Sequence, residues 1–285
     1  GIRLVEAPEH AGGPAGVVNC AAGRAREAGP VITNSSNIRA ISFTGSTTAG
    51  TQIHRTVHLT TRLQMELGGK NPLIVMEDAD LDLAVDLAIK GGFSLTGQAC
   101  TGTSRILVVP SVKQAFTDKL LARVAALKIG NGMQPGPDLG PLATAKQLQT
   151  VLKYIAIGKS EARLLCGGER LTGAEFDKGY YVSPAVFTDV KNSMRIAQEE
   201  IFGPVLAIIE VADFNDALAT ANPRDRHVST NEIQSGTVKI NRTTTGNLVN
   251  APFGGLKNSS TSTFRESGRA GLEFCTQLKT VYRGV

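Results

Sequence analysis

Short apolar runs set between amphipathic stretches restrict this chain to few architectures. Pro72-Leu73-Ile74-Val75-Met76 is uninterrupted apolar sequence of strand length, and Ser104 to Val109 and Val205 to Val211 are runs of the same kind. Strands this apolar need cover on both faces, which the parallel sheets of α/β proteins have. Helical spacing fills the intervals, at Asp78 to Ile89, Val112 to Leu127, Thr144 to Ile157 and Phe214 to Ala221. The alternation predicts an α/β fold. Further strands are expected at Arg62 to Leu67, Arg163 to Cys166, Tyr180 to Phe187, Thr237 to Asn241 and Leu278 to Arg283, with a helix from Arg269.

Nearer the N-terminus, the strand Ile38 to Phe43 ends on Thr44-Gly45-Ser46, and Thr47 to Val57 reads as a helix. A turn of glycine and hydroxyl at a helix start puts backbone N–H groups and the positive dipole end where a phosphate is held. The unit is Rossmann-like, although Gly45 to Gly50 is not GxGxxG. On these residues alone, a hydroxyl helix cap is the simpler reading.

Two stretches between Arg62 and Arg105 are read together, because a lone cysteine is usually a small buried hydrophobe and a glycine pair usually just a turn. Met65-Glu66-Leu67-Gly68-Gly69-Lys70 supplies a carboxylate, and Gly97-Gln98-Ala99-Cys100-Thr101 supplies a thiol in a small, glycine-rich segment. A cysteine nucleophile with a carboxylate that serves as base or activates water is what covalent catalysis at a carbonyl requires. An unperturbed thiol, with a pKa of about 8.5, needs a base or a lowered pKa to act at neutral pH. Cys20, Cys166 and Cys275 have apolar or strand-like neighbours and are expected to pack.

The stretches Glu66 to Pro72, Gly97 to Thr101, Glu199-Glu200-Ile201-Phe202-Gly203-Pro204-Val205 and Ala251-Pro252-Phe253-Gly254-Gly255 resemble, in that order, the signatures of the aldehyde dehydrogenase superfamily. The wording from Asn241 through Glu266 is most similar to bacterial dehydrogenases of short semialdehydes, such as 2-oxoglutarate semialdehyde. The resemblance implies Cys100 as nucleophile and Glu66 as base. It also implies a dinucleotide, NAD or NADP, at Gly45, Ser46 and Leu67, with Glu200 on the nicotinamide ribose and Phe202 beside the ring. Arg265 and Glu266 match a motif that shapes the site and its water path, and Arg242 is a candidate for a distal carboxylate of the substrate. The implied division is residues 1–67 as part of a Rossmann-like cofactor domain, 68–255 as an α/β catalytic domain, and 256–285 as a tail with a short oligomerisation strand.

At 285 residues and 41% hydrophobic, the chain is long enough to bury a sizeable core. A formal charge of +5 without a basic block argues against a nucleic-acid partner, and no apolar run reaches the ~18 residues that span a membrane. Four scattered cysteines without CxxC predict free thiols, a reducing cytoplasm and no metal site, and the His54/His58 pair lacks a third ligand. The expected partners are a small aldehyde and further copies of the chain, as a dimer or tetramer.

Beside its relatives the sequence is expected to lack an N-terminal part and a segment after Asn222, so that these 285 residues alone bind NAD poorly and associate through an open sheet edge. Two alternatives stand beside the dehydrogenase: a catalytically silent paralogue that binds partners, and a cofactor-independent thiol esterase. Hydrolysis of an activated ester without NAD marks the second.

Overall fold

The computed structural model describes residues 2–173, 175–222, 233–261 and 264–284. Two sheets organise the chain. The first pairs β1 (Ala40–Thr44) in parallel with β2 (Arg62–Glu66), with Thr44 opposite Glu66. Helix α3 (Thr47–Thr56) joins them, and the Ser46 hydroxyl caps it by accepting the Ala49 N–H at 3.3 Å. Helices α1 (Ile2–His10) and α2 (Ala25–Thr33) precede this unit.

The second sheet has five strands in the order β3 (Asn71–Val75), β4 (Thr103–Val108), β7 (Val205–Glu210), β6 (Ala185–Thr188) and β5 (Arg163–Cys166). All neighbours are parallel except β5 against β6. Side-chain alternation explains the apolar runs. Ile106 and Val108 on β4, with Leu206 and Ile208 on β7, face a core shared with α4 (Leu81–Phe93) and α5 (Pro110–Ala125). Leu107, Ala207 and Ile209 point the other way, toward α6 (Ala145–Glu161). Each such aliphatic side chain taken fully out of water stabilises the fold by about 1.5–3 kcal/mol.

Helix ends follow capping chemistry more closely than apolar spacing. The α4 helix starts at Leu81, later than Asp78, because the Asp80 carboxylate accepts the N–H groups of Asp82 and Leu83 at 3.0 and 3.1 Å. Asp213 caps α8 (Phe214–Ala221) in the same way, while α7 (Arg195–Gln198) is a single turn and α9 (Gly268–Cys275) closes the helical part. Three expected strands change. The run from Tyr180 shortens to β6, preceded by a lone bridge between Arg170 and Val182. Residues 237–241 are irregular, and 276–284 form no strand. That tail leaves Leu278 and Tyr282 exposed, for a strand needs a ladder partner and this segment has none among the described residues. The expected gap after Asn222 falls on positions outside the described residues.

Candidate active site

Strand β2 ends on Glu66, strand β3 begins at Asn71, and the four residues between them join the two sheets. Carboxyl ends of parallel strands are where open α/β sheets bind ligands. Glu66 is buried, accepts the Gln64 Nε2–H at 2.9 Å, and lies against Gly254, Arg265 and Glu266. Gln64 is in turn held by the Ser42 hydroxyl of β1. Burial, reinforced by the Glu266 carboxylate, pushes the Glu66 carboxyl up to about 7, against the opposing pull of Gln64 and Arg265. A carboxyl near neutrality can take and return a proton.

Cys100 follows a turn, Ser94–Gly97, in which Leu95, Thr96 and Gly97 hold φ of 53°, 59° and 70°. The Asn71 side-chain amide fixes this loop by donating to the carbonyls of Cys100 (2.8 Å) and Gly102 (3.1 Å). The thiol stands at an exposed residue yet is raised in pKa, first by desolvation and further by Glu200 and Glu66. The N–H groups of Cys100 and Thr101 oppose that rise. Forming the thiolate therefore calls for a base. Cys20 and Cys275 are exposed, not packed as expected, and Cys166 is half-buried in β5.

The two glutamates before β7 part company. Glu199 is held outside by Arg195, at 2.7 and 2.9 Å, and by the Tyr154 hydroxyl at 2.6 Å, which keep its carboxyl well below the usual range. Glu200 turns inward, accepts the Gly69 N–H at 3.2 Å, and occupies the space a Cβ on Gly68 would take. Phe202, with φ of 56°, leaves its ring partly exposed. Lys70 places its ammonium out of solvent with no hydrogen-bond partner among the described residues, and burial with Arg105 nearby lowers it to about 7. Leu67 gives its N–H to Ser259 at 3.0 Å and packs its side chain on α3 at Gly50. Gly45 donates to the Glu66 carbonyl at 3.0 Å, which ties the phosphate-type turn to the end of β2.

The structure thus gathers Cys100, Glu66 and Glu200 within electrostatic reach of one another, while Gly45 and Ser46 stand at the start of α3. A cavity of about 580 Å³ opens beside that helix, lined by Thr47, Thr48, Thr51, Gln52, Arg55 and Thr56. Arg242 is exposed on a loop anchored by the Thr103 and Thr244 hydroxyls (2.9 Å) and by Lys239, which donates to the carbonyls of Thr244, Thr245 and Gly246. Sequence reasoning assigns no role to Gln64, Asn71, Gln98, Gln147 or the buried Lys70 ammonium. Polar side chains beside the motifs were the available signal. Among the described residues, no group of three His, Cys, Asp or Glu can hold a metal, and no helix is long and apolar enough to cross a membrane.

A thiol and two carboxylates gathered in an α/β fold are the groups that covalent chemistry at a carbonyl calls for. The sequence profile of the aldehyde dehydrogenase family matches residues 1–281, and the chain belongs to that family. It is 41% identical over 300 residues to 2,5-dioxopentanoate dehydrogenase of Saccharolobus solfataricus, covering 99% of this chain and 62% of that one. With alpha-ketoglutaric semialdehyde dehydrogenase of Bacillus subtilis it shares 40% over 296 residues, 98% of this chain and 60% of that one. It therefore spans about three-fifths of these curated relatives. Among solved structures, betaine aldehyde dehydrogenase of Staphylococcus aureus in complex with NAD+ superposes with a TM-score of 0.89 at 35% identity, over 95% of this chain and 56% of that one. HpcC of Thermus thermophilus gives 0.90 at 37%, over 98% and 57%.

Proposed function

We propose that this chain is the thiol-bearing part of an NAD- or NADP-dependent dehydrogenase that oxidises a small semialdehyde to its carboxylate. The observation that carries the reading is the convergence of the Cys100 thiol with the Glu66 and Glu200 carboxylates. The Cys100 thiol passes its proton to solvent base, and its sulfur adds to the aldehyde carbon, giving a hemithioacetal oxyanion beside the N–H groups of Cys100 and Thr101. A nicotinamide held beside Glu200 and Phe202 would supply the acceptor for the hydride that leaves this carbon as the thioester forms. Glu66 then removes a proton from the water that cleaves the resulting thioester and frees the thiol.

The residues present fit a dinucleotide. The first-turn N–H groups of α3 with Gly45 and Ser46 suit a phosphate, the inward carboxylate of Glu200 suits ribose hydroxyls, and Phe202 presents an open ring face. Leu67 is placed to line the floor between them. We assign 1–67 to the cofactor unit, 68–255 to the catalytic unit and 256–285 to the tail; the change of sheet between Glu66 and Asn71 supports the first boundary. The exposed Leu278 and Tyr282 support a homo-oligomer, and the free cysteines support a cytoplasmic setting.

Relatives named for 2,5-dioxopentanoate and alpha-ketoglutaric semialdehyde support a carboxylate-bearing substrate, with Arg242 its partner. The test is to supply the protein with 2-oxoglutarate semialdehyde and NAD or NADP and follow reduced nicotinamide. Cofactor-dependent turnover supports the reading. Cofactor-independent hydrolysis of an activated ester with no reduction of NAD or NADP replaces it with a thiol esterase.

A further inference from the structure

The loop of Cys100 and the loop of Glu200 and Phe202 come from different parts of the chain, and the segment from Gly140 to Gln147, which leads into α6 and makes its first turn, bonds to both. On the thiol side, Gln98 accepts the Ala143 N–H at 2.9 Å and returns its Nε2–H to the Leu95 carbonyl at 3.2 Å. The Thr96 hydroxyl adds a bond to the Gly140 carbonyl at 3.1 Å. One turn into α6, Gln147 donates through Nε2 to the carbonyls of Ile201 and Phe202, both at 2.9 Å. Its own N–H is capped by the Thr144 hydroxyl at 3.1 Å. The loops also touch directly, because a Cβ on Gly97 would overlap the Gly203 carbonyl.

Both loops need this support. Leu95, Thr96 and Phe202 are left-handed residues whose Cβ atoms disfavour that conformation. Leu95 is 74% exposed, so burial does little to offset its strain, whereas Thr96 is buried and Phe202 is 38% exposed. Such conformations persist where the surroundings over-determine them.

We propose that Gln98 and Gln147 are positioning residues that make the entry into α6, from Gly140 through its first turn, a shared brace, holding the thiol at a set spacing from Glu200 and Phe202. The proposal rests on Cys100 as nucleophile and Glu200 and Phe202 as cofactor contacts. Its signature is cross-talk: loosening the Phe202 side alters the thiol with no cofactor present.

The test is the pH profile of Cys100 alkylation by iodoacetamide without cofactor or aldehyde, with peptide mass spectrometry separating Cys100 from the exposed Cys20 and Cys275. Gln147→Met, near in shape but unable to donate, should speed alkylation at neutral pH about threefold or more and move its midpoint to lower pH, because Glu200 and the packing that hold the thiol up are no longer kept beside it, the size expected for a lost hydrogen bond. Gln98→Met should do likewise and also raise the KM for NAD. The double variant should shift no further than the larger single one, whereas independent sites would multiply. An unchanged alkylation profile in a folded, active Gln147→Met protein overturns the brace; should that variant fail to fold, an unchanged NAD KM in Gln98→Met overturns it instead. A wild type without dehydrogenase activity overturns the functional reading and leaves the cross-talk measurement to decide the brace by itself.

Discussion

Replacing Glu66 by Gln should make the fold more stable, and only at the pH values where the enzyme is expected to work. Glu66 is 7% exposed, and its carboxyl is raised from an ordinary 4.5 to about 7 by burial and by Glu266. Between those values the native state binds more protons than the unfolded chain, so stability falls as pH rises through this interval. At about 1.4 kcal/mol per pKa unit the loss comes to less than about 1 kcal/mol at pH 5 and about 3 kcal/mol at pH 8. The substituted amide would carry no charge and would keep an oxygen for the Gln64 Nε2–H. Equilibrium urea unfolding of both proteins at pH 5 and pH 8 should then show a small difference at the lower pH and a gain of about 3 kcal/mol for the variant at the higher. A pH-independent difference, or a variant less stable at pH 8, would refute the claim that the fold bears a buried, like-charge-repelled carboxylate. The kinetic counterpart is a burst of reduced cofactor followed by a slow steady state, as thioester cleavage loses its base.

Cys100→Ser should abolish aldehyde oxidation while leaving the thermal melt unchanged; turnover above a tenth of wild type would sink the nucleophile assignment. Gly68→Ala should push the Glu200 carboxylate from its place and raise the KM for NAD about tenfold, the worth of a charged hydrogen bond, as steady-state kinetics would read. Arg242→Ala should raise the KM for a carboxylate-bearing semialdehyde and spare an uncharged aldehyde of similar size. Gly158→Ala should cost about 1–3 kcal/mol in urea unfolding, since the new methyl meets the fully buried Phe187 ring at 2.6 Å from Cζ.

The apolar runs foretold β3, β4 and β7, because burial on both faces leaves its mark on every residue of a strand. Glu66 at the end of β2 was legible for a different reason: the glycine pair just after it marks the strand's exit. Contacts made at long range were not. Nothing near Gln147 in the sequence points to Phe202, and nothing near Lys70 announces an ammonium sealed from water. The segments at 237–241 and 278–283 have strand-like composition, but pairing belongs to the partner as much as to the segment. Asp80 shows the converse, a local cap that sets a boundary which apolar spacing alone blurs.

The four-residue join between the sheets bears on how this protein could be recombined. Its peptide groups are spoken for: the Leu67 N–H by Ser259, the Gly68 carbonyl by the Ser259 hydroxyl, the Gly69 N–H by Glu200, and the Lys70 carbonyl twice by Arg105 of β4. A chimera that exchanges the cofactor unit with a crossover at residue 67 would part Leu67 from Ser259, and Glu66 from Arg265 and Glu266. Placing the crossover upstream of β2, near Thr60, would let β2, the join and the five-stranded sheet be inherited as one piece.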